Sequence, residues 1–200
     1  MLKIGITGGI GTGKTTICKI FETLGIPVFY ADEESKKILF HDSDVNEELR
    51  TIFGKEIFTE GIPDRKKIAD IVFSDREKLE QLNAILHPAV IRKSEEWFHE
   101  QKHAPYAIKE AALIFEVGGE RNLDKVIVIS SPEEISIGRI MKRDNVSEEE
   151  VRLRMGNQLA QEVKEKKADF LIVNDDRQML IPQVMNIHNH LLQLAQSPGL

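Results

Sequence analysis

The chain has 200 residues, of which 41% are hydrophobic and 30% charged, and its net charge is −6. That length allows one compact domain with room for inserted parts, and the lack of a basic surplus argues against a general nucleic-acid binder. No apolar run approaches a membrane span, no leader-like segment precedes the first motif, and a single cysteine excludes an internal disulfide, so a cytoplasmic protein without a membrane partner is expected.

The first element, "LKIGIT", reads as a strand. It runs into Gly8-Gly9-Ile10-Gly11-Thr12-Gly13-Lys14-Thr15, which fits G-x-x-x-x-G-K-[ST]. Glycines let the backbone turn its N–H groups toward a ligand, and a loop of such groups at a helix N-terminus is an anion site. Lys14 would reach the β- and γ-phosphates of a nucleoside triphosphate, and the Thr15 hydroxyl would bind Mg²⁺. The next segment, "KTTICKIFETLG", places Ile17, Ile20, Phe21 and Leu24 at helical spacing and stops at Gly25. Strand, loop and helix in this order are the context the motif requires. Cys18, on that helix, reads as a small core residue.

"IPVFY" reads as a second short strand. Residues 31–103 then look mostly helical: "SDVNEELRTIF" with a Ser43 cap, "RKKIADIVF", "DREKLEQLNAILH", and a further helix begun by Pro88. This is too long for a simple crossover and predicts a helical insertion. Strand signals return with "YAIKEAALIFE", residues 106–116, and "DKVIVISS". A helix starts at Pro132, and "SEEEVRLRM" carries a capping box at Ser147 and Glu150. "ADFLIVND" is the last strand, followed by a helix to about residue 192. Strands alternating with helices predict an α/β fold, a parallel sheet flanked by helices. Ligands in such sheets sit beyond the C-terminal strand ends, where the glycine loop lies.

Phosphoryl transfer needs an anchored triphosphate, a metal, positive charge and an oriented nucleophile. Asp32 follows the second strand and could serve as a base or help organise Mg²⁺, or could simply cap the next helix. Arg139 and Arg143 share a helical face and could close over phosphates, or could pair with Glu133 or Asp144 on the surface. Asn174 stands where a purine edge could be met. Glu116 is a strand-end carboxylate of open role, and His87 reads as structural. No N-K-x-D base-reading motif is present, which favours ATP over GTP.

Taken together, these segments resemble the dephospho-CoA kinase family over nearly the whole chain. "GITGGIGTGKTT" is similar to its P-loop, "LGIPVFYAD" to a stretch ending in Asp-Ala-Asp, "ILHP" to a His-Pro signature and "ALIFE" to a Pro-Leu-Leu-Phe-Glu segment. "RIMKRD" is similar to its lid arginines, Gln158 to a glutamine after the lid, and "ADFLIVN" to its final strand. The resemblance implies a P-loop NTPase fold with a core at about 1–30, 104–135 and 157–200. It also implies a helical substrate-binding part at about 31–103 and a small lid at about 136–156. It implies transfer of the γ-phosphate of ATP to the 3′-hydroxyl of dephospho-CoA. By position it assigns Gly11, Thr12, Gly13, Lys14, Thr15 and Thr16 to ATP, Asp32 to base or Mg²⁺ work, and Arg139 to transition-state stabilisation, beside the catalytic part of Lys14 on the phosphates and the Mg²⁺ role of Thr15 read from the loop motif. Two positions depart from the family pattern: Tyr30 replaces the first aspartate, and Ala112 replaces a proline. Another P-loop small-molecule kinase, or a nucleotide-binding switch, is the rival reading.

Overall fold

The computed structural model describes residues 1–196. In chain order the elements are β1 (Leu2–Thr7), α1 (Lys14–Thr23), β2 (Val28–Tyr30), α2 (Ala31–His41), α3 (Ser43–Phe53), β3 (Phe58–Thr59), β4 (Ile62–Pro63), α4 (Arg65–Ser74) and α5 (Arg76–Glu100). There follow β5 (Tyr106–Glu110), β6 (Lys125–Ser130), α6 (Glu133–Asp144), α7 (Glu148–Gly156), α8 (Gln161–Lys166), β7 (Phe170–Val173) and α9 (Leu180–Gln196). The chain divides into two compact units, one of Met1–Phe29 with Glu100–Leu200 and one of Tyr30–His99.

The first unit is built on a five-stranded sheet in the order β2-β5-β1-β6-β7. Its register is parallel: Ile4 pairs with Ile108, Ile6 with Ile127, and Val128 with Leu171. The central strands are apolar on both faces, as a parallel sheet covered by helices requires. Ile4, Ile6, Ile108, Ile127 and Ile129 are fully buried. Helix α1 buries Ile17, Cys18 and Phe21, and the Phe21 ring meets Tyr106 edge-on at 6.4 Å. Val126 and Val128 alternate with Ile127 and Ile129 along β6 and pack with Phe115, Leu123, Leu159 and Ala168. The expected strand over 106–116 is shorter: β5 ends at Glu110, and Ala111 N–H makes a last bond to Ile6 O at 3.1 Å. The chain then turns, closing on Gly118 at φ 68°. The capping box at Ser147 and Glu150 is present as read.

The second unit is mainly helical, with one short hairpin the sequence reading did not anticipate. Strands β3 and β4 pair antiparallel around Glu60 and Gly61, both at positive φ, and two residues per strand are too few to show an alternating pattern. Helix α3 is capped by Asp42 rather than Ser43, since Asp42 Oδ1 accepts from the N–H groups of Asp44 and Val45 at 3.0 and 3.1 Å. The expected break at His87-Pro88 is absent, and α5 runs through it for 25 residues. A mid-helix proline costs about 3 kcal/mol through its lost N–H and ring clash. Leu82, Ile85 and Leu86 before it, and Ala89, Val90 and Phe98 after it, are buried, so packing on both sides offsets that cost while Pro88 itself stays exposed.

Candidate active site

The glycine loop leaves β1 at Thr7 and enters α1 at Lys14. Gly11 and Gly13 sit at φ 83° and 91°, in the left-handed region. A Cβ at Gly11 would lie 2.6 Å from Ser136 O, and one at Gly13 only 2.3 Å from Asn174 Nδ2. Both positions therefore need glycine for backbone shape and for close approach. Thr12 is buried and turned into the loop, its hydroxyl donating to Gly9 O at 2.9 Å.

The amides of the loop divide into two sets. Those of Gly9, Ile10 and Thr12 are engaged inside the protein, with Gln161 Oε1 (3.2 Å), Gln158 Oε1 (2.9 Å) and Gly9 O (3.4 Å). Those of Lys14, Thr15 and Thr16 form the first turn of α1, the end of the helix toward which its N–H groups point. Gly13, the N-cap residue, makes no side-chain cap hydrogen bond, and the first turn contains no acidic residue. An uncapped helix N-terminus free of acid favours a bound anion by dipole and hydrogen bond together. Thr15 and Thr16 are exposed there. The Lys14 ammonium lies across its own loop and donates to Gly8 O at 3.0 Å and Gly9 O at 3.2 Å. The loop residues and lysine thus fit a triphosphate.

Arg139, on α6, is fixed to the same loop. Its Nη1 donates to Gly11 O at 3.3 Å, and its Nη2 to Asn174 Oδ1 at 3.0 Å and Asp176 Oδ1 at 2.6 Å. Neither surface partner considered from sequence holds it: Glu133 pairs with Arg152, and Asp144 pairs with Arg143 and Arg154. Arg143 is thereby drawn away from Arg139, and the Asp144 carboxylate holds its pKa up. Asn174 is buried, and its side-chain amide is taken, since Nδ2 donates to Thr12 O at 2.8 Å while Oδ1 accepts from Arg139. It joins arginine to loop instead of presenting a free edge to a purine.

Asp32 lies in the other unit, in the first turn of α2, and is exposed. The N-cap of α2 is Tyr30, with no side-chain cap bond, so Asp32 does not cap the helix. A carboxylate in a first turn is still favoured by the helix dipole. Among the described residues no group of three His, Cys, Asp or Glu side chains could hold a metal. Cys18 is fully buried, and burial pushes its thiol well above the usual range, as suits a core residue.

A family model described as dephospho-CoA kinase matches residues 2–179. The chain belongs to the dephospho-CoA kinase family. A dephospho-CoA kinase of Bacteroides fragilis is 34% identical over 192 residues, covering 96% of this chain and 94% of that one. The structure of the dephospho-CoA kinase from Campylobacter jejuni superposes with a TM-score of 0.70 at 30% identity, over 96% of this chain and 97% of that one. A crystal structure from Thermus thermophilus gives 0.80 at 32% identity, over 99% of this chain and 98% of that one. The fold is therefore that of a P-loop kinase, and membership of a kinase family makes ATP a substrate.

Three participants were missed in the sequence. Gln161 and Asp176 were not singled out at all, and Gln158 was noted only for its family likeness. The two glutamines sit 152 and 148 residues from the amides they hold, and no local pattern marks such a pairing. They also line a cavity of about 520 Å³ beside Gly9, Ile10 and Ser136.

Proposed function

We infer that the chain transfers the γ-phosphoryl group of ATP to the 3′-hydroxyl of dephospho-CoA, giving CoA and ADP in the last step of coenzyme A synthesis. The observation that carries this reading is the uncapped, acid-free end of α1 behind a glycine loop, in a chain of the dephospho-CoA kinase family. The amides of Gly11 to Thr16 and the Lys14 ammonium hold the phosphates. The Thr15 hydroxyl and, on the family resemblance, the Asp32 carboxylate are each assigned to Mg²⁺: hard oxygen ligands suit that ion, which would supply positive charge to the phosphates when bound.

Asp32 is assigned to orient the 3′-hydroxyl and accept its proton. The first turn of α2 supports this, since the carboxylate is exposed and not spent on capping. Arg139 is assigned to the transferring phosphoryl group. Asp176, its closest partner, has a side chain 65% exposed, and an exposed pair of this kind contributes only roughly 0–1 kcal/mol. Phosphate oxygens would replace that carboxylate at small cost, with Gly11 O still aligning the guanidinium. The helical unit, Tyr30–His99, is assigned to the acceptor, and residues 136–156 to a lid. The reading places the enzyme in the cytoplasm; no helix among the described residues is long and apolar enough to cross a membrane.

The test is to identify the product. Incubation with ATP, Mg²⁺ and dephospho-CoA is expected to give a compound of CoA mass with its new phosphate monoester on the 3′-oxygen, assigned by phosphorus NMR. A new ester elsewhere on the molecule, or ADP formed without any phosphorylated acceptor, would overturn the reading.

A further inference from the structure

The leading half of the P-loop is held from outside itself. Gln161 Oε1 accepts from Gly9 N–H and Gln158 Oε1 from Ile10 N–H. Gln161 is itself fixed, because its Nε2 donates to Ile129 O at 3.2 Å and to Glu165 Oε1 at 3.1 Å, and Glu165 in turn accepts from Ser130 Oγ at 2.5 Å. The backbone between the two glutamines is pinned as well, since Leu159 N–H donates to Glu116 Oε1 at 2.9 Å. That same oxygen meets Lys164 Nζ at 2.8 Å, and Lys164, with no exposed side-chain surface, also donates to Ala112 O at 3.1 Å. Thr7, the residue before Gly8, donates to Ala112 O at 3.2 Å.

Three side chains of one short helix therefore reach three strand ends. Gln161 reaches the loop after β1 and the end of β6, Lys164 the segment after β5, and Glu165 the last residue of β6. A loop rich in glycine has little rigidity of its own. Its phosphate-facing amides can be aimed only if its other amides are fixed, and preorganised donors are what make such a site effective.

We propose that Gln158 and Gln161 are positioning residues for phosphoryl transfer, holding the first half of the P-loop by the Gly9 and Ile10 amides so that the amides from Gly11 onward stay aimed at the triphosphate. This rests on the reading of the loop as the ATP site. Neither glutamine is assigned a contact with ATP or with the acceptor. Removing one acceptor frees one loop amide and lets the loop sample shapes that bind phosphate poorly. The cost appears as ATP affinity, because binding must first restore the aimed conformation.

The experiment compares wild type with Gln158→Met and Gln161→Met, which keep side-chain length but lose the amide oxygen. For each, the steady-state constants for ATP and for dephospho-CoA, ADP binding by calorimetry and the thermal midpoint are measured. The wild-type reaction on dephospho-CoA checks the underlying functional reading separately. Loss of a hydrogen bond to a half-buried amide is expected to raise the ATP KM and the ADP Kd about tenfold, with the KM for dephospho-CoA unchanged. A purely structural role would lower the thermal midpoint and the active fraction and leave both affinities alone, and that result would overturn the proposal. If Gln161→Met fails to fold, Gln158→Met, which removes one hydrogen bond only, decides the matter by the same criteria.

Discussion

Arg139 and Asn174 meet at the foot of the P-loop. Nη2 of the arginine lies 3.0 Å from Oδ1 of the asparagine, whose Nδ2 donates to Thr12 O at 2.8 Å. Through this amide, and through the direct bond from Nη1 to Gly11 O, the residue assigned to the transferring phosphoryl group is tied to the loop assigned to hold ATP. A Cβ at Gly13 would collide with the same amide, so loop and arginine share a single packing requirement.

The arginine is the more exacting of the two to replace. Its two terminal nitrogens serve Gly11 O, Asn174 and Asp176 at once, a planar fork that lysine lacks. Arg139→Lys is expected to lose most of the activity lost by Arg139→Ala, with kcat and kcat/KM falling together as for a contact made in the transition state. Both variants should fold, as circular dichroism would show. Wild-type kcat in the lysine variant would remove Arg139 from the chemistry.

Asp32 offers a cleaner separation of chemistry from structure, because it does not cap α2. Asp32→Asn keeps size and loses the base, and kcat is expected to fall by about 10²–10⁴-fold with ADP binding little changed. Calorimetry with ADP and a turnover assay on the same preparation would show this. An intact kcat would strike Asp32 from the site.

The buried pair of Lys164 and Glu116 predicts a stability effect. Lys164→Met would leave the Glu116 carboxylate facing Leu159 N–H but without its cation, and breaking a buried pair in this way costs about 3–5 kcal/mol. Adding Glu116→Gln should recover much of that loss, since the amide oxygen can still accept from Leu159. Denaturant titration of the single and double variants measures it. Equal midpoints for wild type and Lys164→Met would contradict the placement of this pair.

Acid should destabilise the protein through two histidines. Burial lowers the pKa of His188 and of His87 below the ordinary 6.5, so the folded chain binds fewer protons than the unfolded one. Their contribution is fully present above the unfolded value of 6.5 and is lost as pH falls below it and through the folded values. His188 Nδ1 lies 2.7 Å from the Tyr106 hydroxyl, which burial keeps protonated. The thermal midpoint is thus expected to drop as pH falls below 6.5. A double variant, His188→Gln with His87→Gln, should flatten that slope. An unchanged slope would show that other groups carry it.

What could be read in advance was local. The P-loop is eight consecutive residues with its chemistry in the backbone, β1 and β6 are short apolar runs at the buried centre of the sheet, and β7 is a short apolar run at its edge. The capping box at Ser147 and Glu150 needs only a three-residue reach. Most of the misreadings turn on tertiary context. Pro88 looks like a helix start, yet α5 continues because buried residues on either side hold it. The strand expected to reach Glu116 stops at Glu110, where the chain bends to bring Glu116 to Lys164. Helix α8 has six residues and no apolar period of its own, and its importance lies in partners 32 to 152 residues back in the chain. Asp42 outdoes Ser43 as a cap for α3, one residue from where the pattern suggested.

The central claim is that the acceptor is dephospho-CoA, and a panel of acceptors tests it most directly. ADP release, coupled to a reporter enzyme, is measured with ATP, Mg²⁺ and each of dephospho-CoA, adenosine, AMP and shikimate, with a folded Lys14→Ala variant as the blank. Turnover with dephospho-CoA should exceed that with the other three by orders of magnitude in kcat/KM, and the variant should show almost none. A higher kcat/KM for adenosine, AMP or shikimate would contradict it, and turnover in the Lys14→Ala variant close to wild type would contradict the role assigned to the P-loop.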